Sequence, residues 1–169
     1  QLLSLEHGKS IRAIEFTPDG TYLLTAGDDR AIRLWDALDG QELFVYLGHT
    51  GTIYDIDVSS DGRLLASVSE DKTIRIWSVS NVREQLTIAG HSGAIYAVKF
   101  VPDGASIVSA GADGFVRVWS SKNGELLKTF KGHLDIVNWI DISDDGVFLS
   151  TASGSRLRVE GEFSVRIWD

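Results

Sequence analysis

The sequence predicts an all-β protein built from four copies of one repeat, because three residue types recur at a constant spacing. The four histidines, His7, His49, His91 and His133, lie 42 residues apart. Asp-Gly pairs keep the same step, at Asp19-Gly20, Asp61-Gly62, Asp103-Gly104 and Asp145-Gly146. Tryptophans follow it at Trp35, Trp77 and Trp119, and Trp168 comes 49 residues after the third. The last repeat is therefore predicted to carry an insertion of about seven residues.

Each repeat is predicted to form four short strands. In the second repeat, residues 53–58 alternate apolar and polar side chains, which is typical of a half-buried strand. The pair Asp61-Gly62 then predicts a tight turn, since glycine tolerates a positive φ and aspartate bonds to nearby backbone. Residues 64–68, 73–77 and 84–88 supply the other three strands. Helical spacing is not sustained anywhere in the chain.

Composition excludes several classes of function. The 169 residues carry a net charge of −8, which argues against nucleic acid and anionic membranes as partners, because both attract basic surfaces. No apolar run approaches the roughly 18 residues of a membrane helix, and no signal peptide is expected at the start. The chain has no cysteine, so disulfides and thiolate chemistry are excluded. The cytoplasm is the default expectation for its location.

The repeat resembles the WD40 family over essentially the whole chain. The resemblance rests on the pairs Gly48-His49, Gly90-His91 and Gly132-His133 and on the ends Trp35-Asp36 and Trp168-Asp169. Trp77-Ser78 and Trp119-Ser120 are variants of that ending, and Glu6-His7 departs from the Gly-His pair. The resemblance implies four-stranded β-propeller blades arranged around a central channel.

The resemblance also implies one hydrogen-bonded set per blade, in which a histidine, a Ser or Thr, a turn aspartate and the tryptophan satisfy one another. In the first three repeats these sets are His7, Thr25, Asp29 and Trp35; His49, Ser67, Asp71 and Trp77; and His91, Ser109, Asp113 and Trp119. The fourth repeat offers His133, Thr151 and Trp168, but its aspartate position is displaced. Glu162 and Ser155 are the candidates to replace it, and we expect this set to be weakened.

Catalytic and metal-binding interpretations of these residues are disfavoured. A His–Asp–Ser grouping is compatible with a hydrolase, but here it recurs once per repeat, whereas an active site is expected to be unique. Histidines 42 residues apart belong to different blades and are too far apart to share a zinc ion. No phosphate-binding glycine loop precedes a helix. We therefore predict no enzyme activity, no metal and no cofactor.

A binding role is the remaining expectation, and the resemblance points to one face of the propeller. Partners of this family often contact positions three and five residues after the histidine and the residue before the turn aspartate. The candidate partner-binding residues at these positions are Arg12, Asp28, Tyr54, Glu70, Tyr96 and Asn138. Tyr54 and Tyr96 stand out because tyrosine recurs in binding hot spots. The alternative is that both rings simply line the mouth of the channel.

Two further features are expected near this face. Trp139 lies outside the repeated tryptophan position and serves either as an exposed anchor or as packing within the channel. The insertion, about residues 154–160, adds Arg156 and Arg158 to a loop between the second and third strands of the last repeat. Long loops are often functional, but a spacer or a simple ribbon extension is an equal alternative.

The arrangement of the repeats predicts how the chain assembles. We assign blade 1 to about 8–47, blade 2 to 50–89, blade 3 to 92–131 and blade 4 to 134–169, within one array spanning 1–169. Residues 1–6 match an outer strand that would complete blade 4 of another copy. Two copies would then close an eight-bladed ring as a homodimer. The alternative is a fragment whose remaining blades lie in a longer parent or in a different subunit.

Two functions follow from these expectations. The first is a non-catalytic scaffold that self-assembles and binds an unknown protein or peptide. The second is a repeat assembly, natural or engineered, with no ligand of its own.

Overall fold

The computed structural model describes residues 3–154 and 163–169, which form fifteen β-strands and no helix. Accordingly, nothing within these residues is a helix long and apolar enough to cross a bilayer. Residues 155–162, which hold Arg156, Arg158 and both candidates for the displaced acid, Ser155 and Glu162, lie outside the described residues.

The strands form four antiparallel sheets in which sequence order is also spatial order, which confirms the all-β repeat architecture. Blade 1 consists of β1 (Ile11–Phe16), β2 (Tyr22–Gly27), β3 (Ala31–Asp36) and β4 (Glu42–Leu47). Blade 2 consists of β5 (Ile53–Val58), β6 (Leu64–Ser69), β7 (Thr73–Ser78) and β8 (Glu84–Ala89). Blade 3 consists of β9 (Ile95–Phe100), β10 (Ser106–Gly111), β11 (Val116–Ser120) and β12 (Leu126–Phe130). Blade 4 consists of β13 (Val137–Ile142), β14 (Leu149–Ser153) and β15 (Ser164–Trp168).

The Asp-Gly pairs form the turn between the first two strands of each blade. In blade 1, Asp19 Oδ1 accepts hydrogen bonds from the Thr17 hydroxyl at 2.6 Å and from the Thr21 backbone N–H at 3.0 Å. Gly20 follows with a φ of 71°, a left-handed conformation that glycine adopts without steric cost. Asp61 makes the corresponding bonds with Ser59 and Arg63.

Neighbouring blades pack face to face, with the innermost strands β1, β5, β9 and β13 side by side. Between blades 1 and 2 the core contains Leu24, Ile32 and Tyr46 from one side and Ile56 and Trp77 from the other. Two further clusters fill the 2–3 and 3–4 interfaces in the same way. The core therefore consists of three separate layers, each formed by two adjacent sheets.

Antiparallel order gives the array two distinct edges. We call the edge with the histidines and the turns between the second and third strands of each blade the His face. The opposite edge, with the Asp-Gly turns and the turns after the third strands, is the Asp-Gly face. Functional residues on either face are therefore held by short loops on a rigid sheet framework.

Both ends of the array lack a neighbouring blade. Ile14 and Phe16 are exposed on the outer sheet face of blade 1, and Val165 and Ile167 are exposed on that of blade 4. The described residues before β1 form no strand in the single chain. Leu5 instead packs on the β3–β4 turn, where a Cβ added to Gly40 would lie 2.9 Å from its Cδ2. The expectation that residues 1–6 complete another copy's last blade remains a prediction.

Candidate functional site

In blades 2 and 3 the structure brings the expected hydrogen-bonding residues together. Ser67 Oγ lies 2.8 Å from His49 Nε2 and accepts a hydrogen bond from Trp77 Nε1 at 2.9 Å, while His49 Nδ1 lies 2.8 Å from Asp71 Oδ2. Ser67 can therefore donate to one ring nitrogen while the other donates to the aspartate. In blade 3, His91, Ser109, Asp113 and Trp119 repeat this arrangement at 2.8–3.1 Å.

The aspartates of these sets are held in the ionised form. Burial alone would raise the pKa of Asp71, but hydrogen bonds from His49, Thr73 and the Thr50 backbone N–H outweigh it and hold the pKa well below its usual range. Asp113 has a lowered pKa for the same reasons, with His91, Ser92 and Arg117 as donors. Each histidine is thereby committed to fixing two loops against one strand, which is a structural role.

Blade 1 deviates from this pattern. Trp35 Nε1 donates to Thr25 Oγ1 at 2.8 Å as expected, but His7 Nε2 lies 3.2 Å from the Thr25 backbone carbonyl instead of the hydroxyl. This nitrogen also lies 3.2 Å from Arg33 Nη1, so His7 contacts a backbone carbonyl and an arginine where His49 contacts a serine hydroxyl. Asp29 Oδ2 is 3.4 Å from His7 Nδ1 and pairs more closely with Arg33.

Glu6 explains the deviation, because it stands where the other blades have glycine. A Cβ added to Gly48 would lie 2.8 Å from Arg75 Nη1 and 3.0 Å from Trp77 Cη2. Such a contact forces neighbouring atoms to move. Glu6 carries a side chain where the other blades have none, and the adjacent His7 contacts the threonine carbonyl instead of the hydroxyl.

Blade 4 retains the three expected members of its set and adds a serine. His133 Nε2 lies 2.7 Å from Thr151 Oγ1, which also accepts from Trp168 Nε1 at 3.0 Å. Ser164 Oγ lies 3.4 Å from His133 Nδ1, as Thr73 does from His49 Nδ1 in blade 2. Weakening of this set remains a prediction, since both acids proposed to complete it lie outside the described residues.

Sequence reasoning missed an arginine that recurs at the same position in every repeat and joins the set in blades 1 and 3. Arg33, Arg75, Arg117 and Arg166 each precede the tryptophan by two residues. Arg117 Nη1 donates to Asp113 Oδ2 at 2.8 Å and lies 2.7 Å from His91 Nδ1, and Arg75 pairs with Glu84 on the outer strand. The Arg-x-Trp spacing at the repeat period was the signal that could have identified it.

The candidate partner-binding residues share a backbone feature. Arg12, Tyr54, Tyr96 and Asn138 each lie where the pairing of the innermost strand with its neighbour shifts by one residue. A bulge leaves one residue without a cross-strand partner and re-aims its side chain. All four blades therefore present this position at the His face through the same local irregularity.

The two tyrosines contact each other across the boundary between blades 2 and 3. The rings of Tyr54 and Tyr96 are 5.0 Å apart at their centroids and inclined by 67°, an edge-to-face arrangement. Both side chains are half-buried. Burial also raises the pKa of Tyr54, with nearby Glu70 adding to the effect. The pair forms an aromatic platform, and within the described residues neither hydroxyl makes a hydrogen bond.

Charged residues flank this platform. Arg12 Nε donates to Asp28 Oδ1 at 2.7 Å and Arg12 Nη2 donates to Asp28 Oδ2 at 3.1 Å, a two-pronged pair that lowers the pKa of Asp28. Glu70 accepts from the Thr52 backbone N–H at 3.4 Å. Asn138 donates to the carbonyl oxygen of Gly154. Arg12 and Asp28 therefore neutralise each other, which sequence position alone could not reveal.

Trp139 lies away from this group. Its side chain is 63% exposed on the outer sheet face of blade 4. Cross-strand pairing with Ala152 places it on the same side of the sheet as Val165. In blade 2 the same repeat position is Asp55, which contacts blade 3. Trp139 therefore belongs to the surface that a following blade would cover.

Sequence reasoning also missed a charged cluster between the innermost strands. Asp55 accepts a hydrogen bond from the Val98 N–H at 2.9 Å, and Asp57 accepts from the Phe100 N–H and from Lys99 Nζ, both at 2.7 Å. Burial raises the pKa of Asp55 to about 7 despite these bonds. The cluster fastens blade 2 to blade 3. No group of three potential metal ligands occurs in the described part of the chain.

Comparison with known proteins places this geometry in a family. The family model described as "WD domain, G-beta repeat" matches residues 1–36, 40–78, 83–120 and 124–169. Over 50 residues the chain is 44% identical to WD repeat domain-containing protein 83 of Rattus norvegicus. This match covers 29% of the chain and 16% of that protein. Over 38 residues it is 45% identical to the ribosome biogenesis protein ERB1 of Yarrowia lipolytica, a match that covers 22% of this chain and 5% of that protein.

A solved structure gives the same result. The fold matches the structure of U3-55K with a TM-score of 0.86 and 28% sequence identity, covering 96% of this chain and 50% of that one. The chain thus spans about half of U3-55K and a smaller share of the two relatives. The second to fourth family matches each run from the outer strand of one blade to the third strand of the next. Because the four matches together include nearly all residues, the chain belongs to the WD40 repeat family.

Proposed function

We propose that the chain is a non-catalytic protein-interaction scaffold that binds a peptide segment of its partner on the His face. The observation that carries the proposal is the Tyr54–Tyr96 pair, whose ring centroids are 5.0 Å apart on adjacent blades. Two aromatic rings that fix each other lose little side-chain entropy when a partner binds. Their hydroxyl groups can hydrogen-bond to backbone groups of an extended peptide.

The surroundings of this pair suit a protein partner. Glu70 supplies a carboxylate near Tyr54, while Arg12 and Asp28 form a neutral pair beside it. Asn138 is a proposed member of this face. A partly apolar centre with a polar margin is the usual composition of a transient protein interface. Arg156 and Arg158 remain proposed members of this face.

The non-catalytic part of the proposal rests on repetition. The His–Ser–Asp grouping occurs in blades 2 and 3 with nearly identical distances, and the histidine side chains are buried. Because the side chains of each buried set hydrogen-bond to one another, none of them is placed to attack a substrate. Such sets support the blades instead.

The proposal is tested with peptides selected from a random-peptide library on the wild-type chain. We expect most selected peptides to lose about tenfold in affinity towards a Tyr54→Ala, Tyr96→Ala double variant, as for loss of hot-spot contacts. The matched control is Leu38→Ala, which removes an exposed apolar side chain on the Asp-Gly face. Equal binding of the peptides to the double variant and to wild type would refute the proposed face.

We further propose that two copies of the chain close one ring. The support comes from the end faces: Ile14 is 61% exposed in blade 1, whereas its counterpart Val98 in blade 3 is fully buried by the preceding blade. Val165, Ile167 and Trp139 form the complementary apolar surface on blade 4. Contiguous exposed apolar surface of this kind marks an interaction site. Another subunit, or further blades of a longer chain, could cover the same faces.

A mixing experiment separates self-closure from these alternatives. Ile14→Asp disables the first end and Val165→Asp the last, so each variant alone should be monomeric. A head-to-tail dimer has two equivalent interfaces, and a mixture of the two variants retains one intact interface per pair. We therefore expect the mixture to recover a dimer in native mass spectrometry. Failure to recover it, or dimers of either variant alone, would refute self-closure.

A further inference from the structure

A cavity of about 550 Å³ lies between blades 1 and 2 on the Asp-Gly face, opposite the tyrosine pair. Its apolar lining includes Tyr22, Leu43 and Phe44 from blade 1 and Val79 from blade 2. Asp19 and Asp61, one from each blade, also line it. We call this cavity the 1–2 groove. Its volume falls within the range of small-ligand and side-chain pockets.

The 1–2 groove is open where the corresponding part of the 2–3 interface is closed. In the 2–3 interface, Gly124 approaches the outer strand β8 so closely that an added Cβ would lie 3.0 Å from Ile88 and 3.2 Å from Leu86. The counterpart of Leu86 in blade 1 is Phe44, which lines the cavity and is 47% exposed. The groove thus exposes an aromatic ring at the position where, in the 2–3 interface, Leu86 packs against Gly124.

The turn beside the groove also has an unusual backbone. Val82 has a φ of 59°, whereas the residues at the same position in blades 1 and 3 are Gly40 and Gly124, with φ of 77° and 73°. A left-handed conformation is rare for a β-branched residue and carries a steric cost. Such strain tends to occur at functional sites. Here it occurs in the turn that contains Val79 and Ser80, both in the wall of the groove.

The margin of the groove favours a cationic ligand. The Thr17 and Ser59 hydroxyls and nearby backbone N–H groups hold the pKa values of Asp19 and Asp61 below the usual range, so both carboxylates are ionised at neutral pH. Neither carboxylate forms a close ion pair within the described part of the chain. Arg63 is highly exposed and lies 3.8 Å from Asp61, a loose pair that a ligand can displace.

We propose that the 1–2 groove is a second peptide-binding site, which takes a segment with an aromatic or aliphatic anchor flanked by Lys or Arg. The anchor packs against Phe44, Leu43 and Val79, and the flanking cations pair with Asp19 and Asp61. This site lies on the opposite face from the tyrosine pair, so the two could be occupied at the same time.

The test follows backbone amide signals of the isotope-labelled chain during titration with short capped peptides. The probe is acetyl-Lys-Phe-Lys-amide, and the comparison peptides replace both lysines by glutamate or the phenylalanine by alanine. We expect the probe to shift the amide signals of Gly62, Arg63 and Ser80 and to bind at least about fivefold more tightly than either comparison peptide. Equal affinity for all three peptides, or shifts confined to Ile14, Val165 and their neighbours, would overturn the proposal.

Variants of the chain make the assignment specific. Asp19→Asn with Asp61→Asn retains an acceptor for each turn but removes both charges, and should weaken the lysine probe about fivefold. The matched control is Asp103→Asn, at the same repeat position in blade 3. Phe44→Ser should abolish the shifts without unfolding the chain, because that side chain is half exposed. Retention of probe affinity in both groove variants would overturn the proposal.

Discussion

The blade faces that pack inside the array and the two faces at its ends contain similar residues in very different environments. Ile14 in blade 1 is 61% exposed, whereas Ile56 and Ile140, at the same repeat position, are 2% and 1% exposed. At the other end Val165 is 72% exposed, whereas its counterpart Ile74 is fully buried. The repeat sequence makes each position apolar, but only an adjacent blade buries it. Each fully buried Ile or Val contributes about 2 kcal/mol, and this stabilisation is missing at the ends.

The largest expected effect separates a middle face from an end face. Ile56→Asp places an unpaired carboxylate between blades 1 and 2 and should unfold the chain, since such a charge has no partner there. Ile14→Asp places the same charge in solvent and should leave the chain folded but monomeric. Circular dichroism measures folding and light scattering measures mass. Unfolding of Ile14→Asp in the same way would show that position within the array does not decide the outcome.

A smaller difference is expected between the hydrogen-bonded sets of blades 2 and 1. Ser67→Ala removes a partner from both His49 and Trp77 and should lower the free energy of unfolding by about 3 kcal/mol. Thr25→Val removes only the acceptor of Trp35, because His7 contacts the backbone carbonyl, and should cost about 1 kcal/mol. Urea unfolding measures both values. Equal losses would contradict the different geometry of His7.

The charged contact between blades 2 and 3 predicts a pH dependence. The folded-state pKa of Asp55, raised by burial to about 7, exceeds its unfolded value of about 4. For a carboxyl group, a raised folded-state pKa means that stability is lost as pH rises through the window from about 4 to 7. Wild type should therefore lose up to about 4 kcal/mol more than Asp55→Ala across this window. Parallel stability profiles of the two proteins, measured in urea, would contradict the role of burial at Asp55.

The smallest expected effect concerns turns at one repeat position. Lys72 has a φ of 68° and is exposed, while its counterpart in blade 3 is Gly114, with a φ of 72°. Lys72→Gly should raise the free energy of unfolding by about 0.5 to 1 kcal/mol, because glycine has no Cβ to clash in this conformation. Lys72→Ala is the control, since it removes the side chain but keeps the Cβ. A gain in Lys72→Ala equal to that in Lys72→Gly would exclude backbone strain as the cause.

Much of the fold could be predicted from the sequence, because a fixed repeat period and alternating strands are local signals. The family and the all-β architecture were predicted and are confirmed. The resemblance to the WD40 family also implied which residues would meet His49 and His91, and the structure brings these residues together. The contact of His7 with the Thr25 carbonyl, instead of the hydroxyl, was not predicted. It depends on how the loop with Glu6 packs beside Arg33 and Trp35.

The candidate site was predictable in position but not in geometry. Sequence spacing placed Tyr54 and Tyr96 on neighbouring blades, yet their edge-to-face contact depends on a bulge in each innermost strand. Trp139 was expected near the His face or the channel, but the register of β13 turns it to the end face of blade 4. The 1–2 groove depends on side-chain volumes from two blades, and no local pattern indicates it.

The central claim is that the two apolar end faces require a complement, which a second copy supplies. Light scattering of the wild-type chain over a range of micromolar concentrations tests it most directly. We predict a uniform particle with twice the 18.5 kDa mass of the chain. A compact, soluble particle of 18.5 kDa that persists at the highest concentration would contradict the claim.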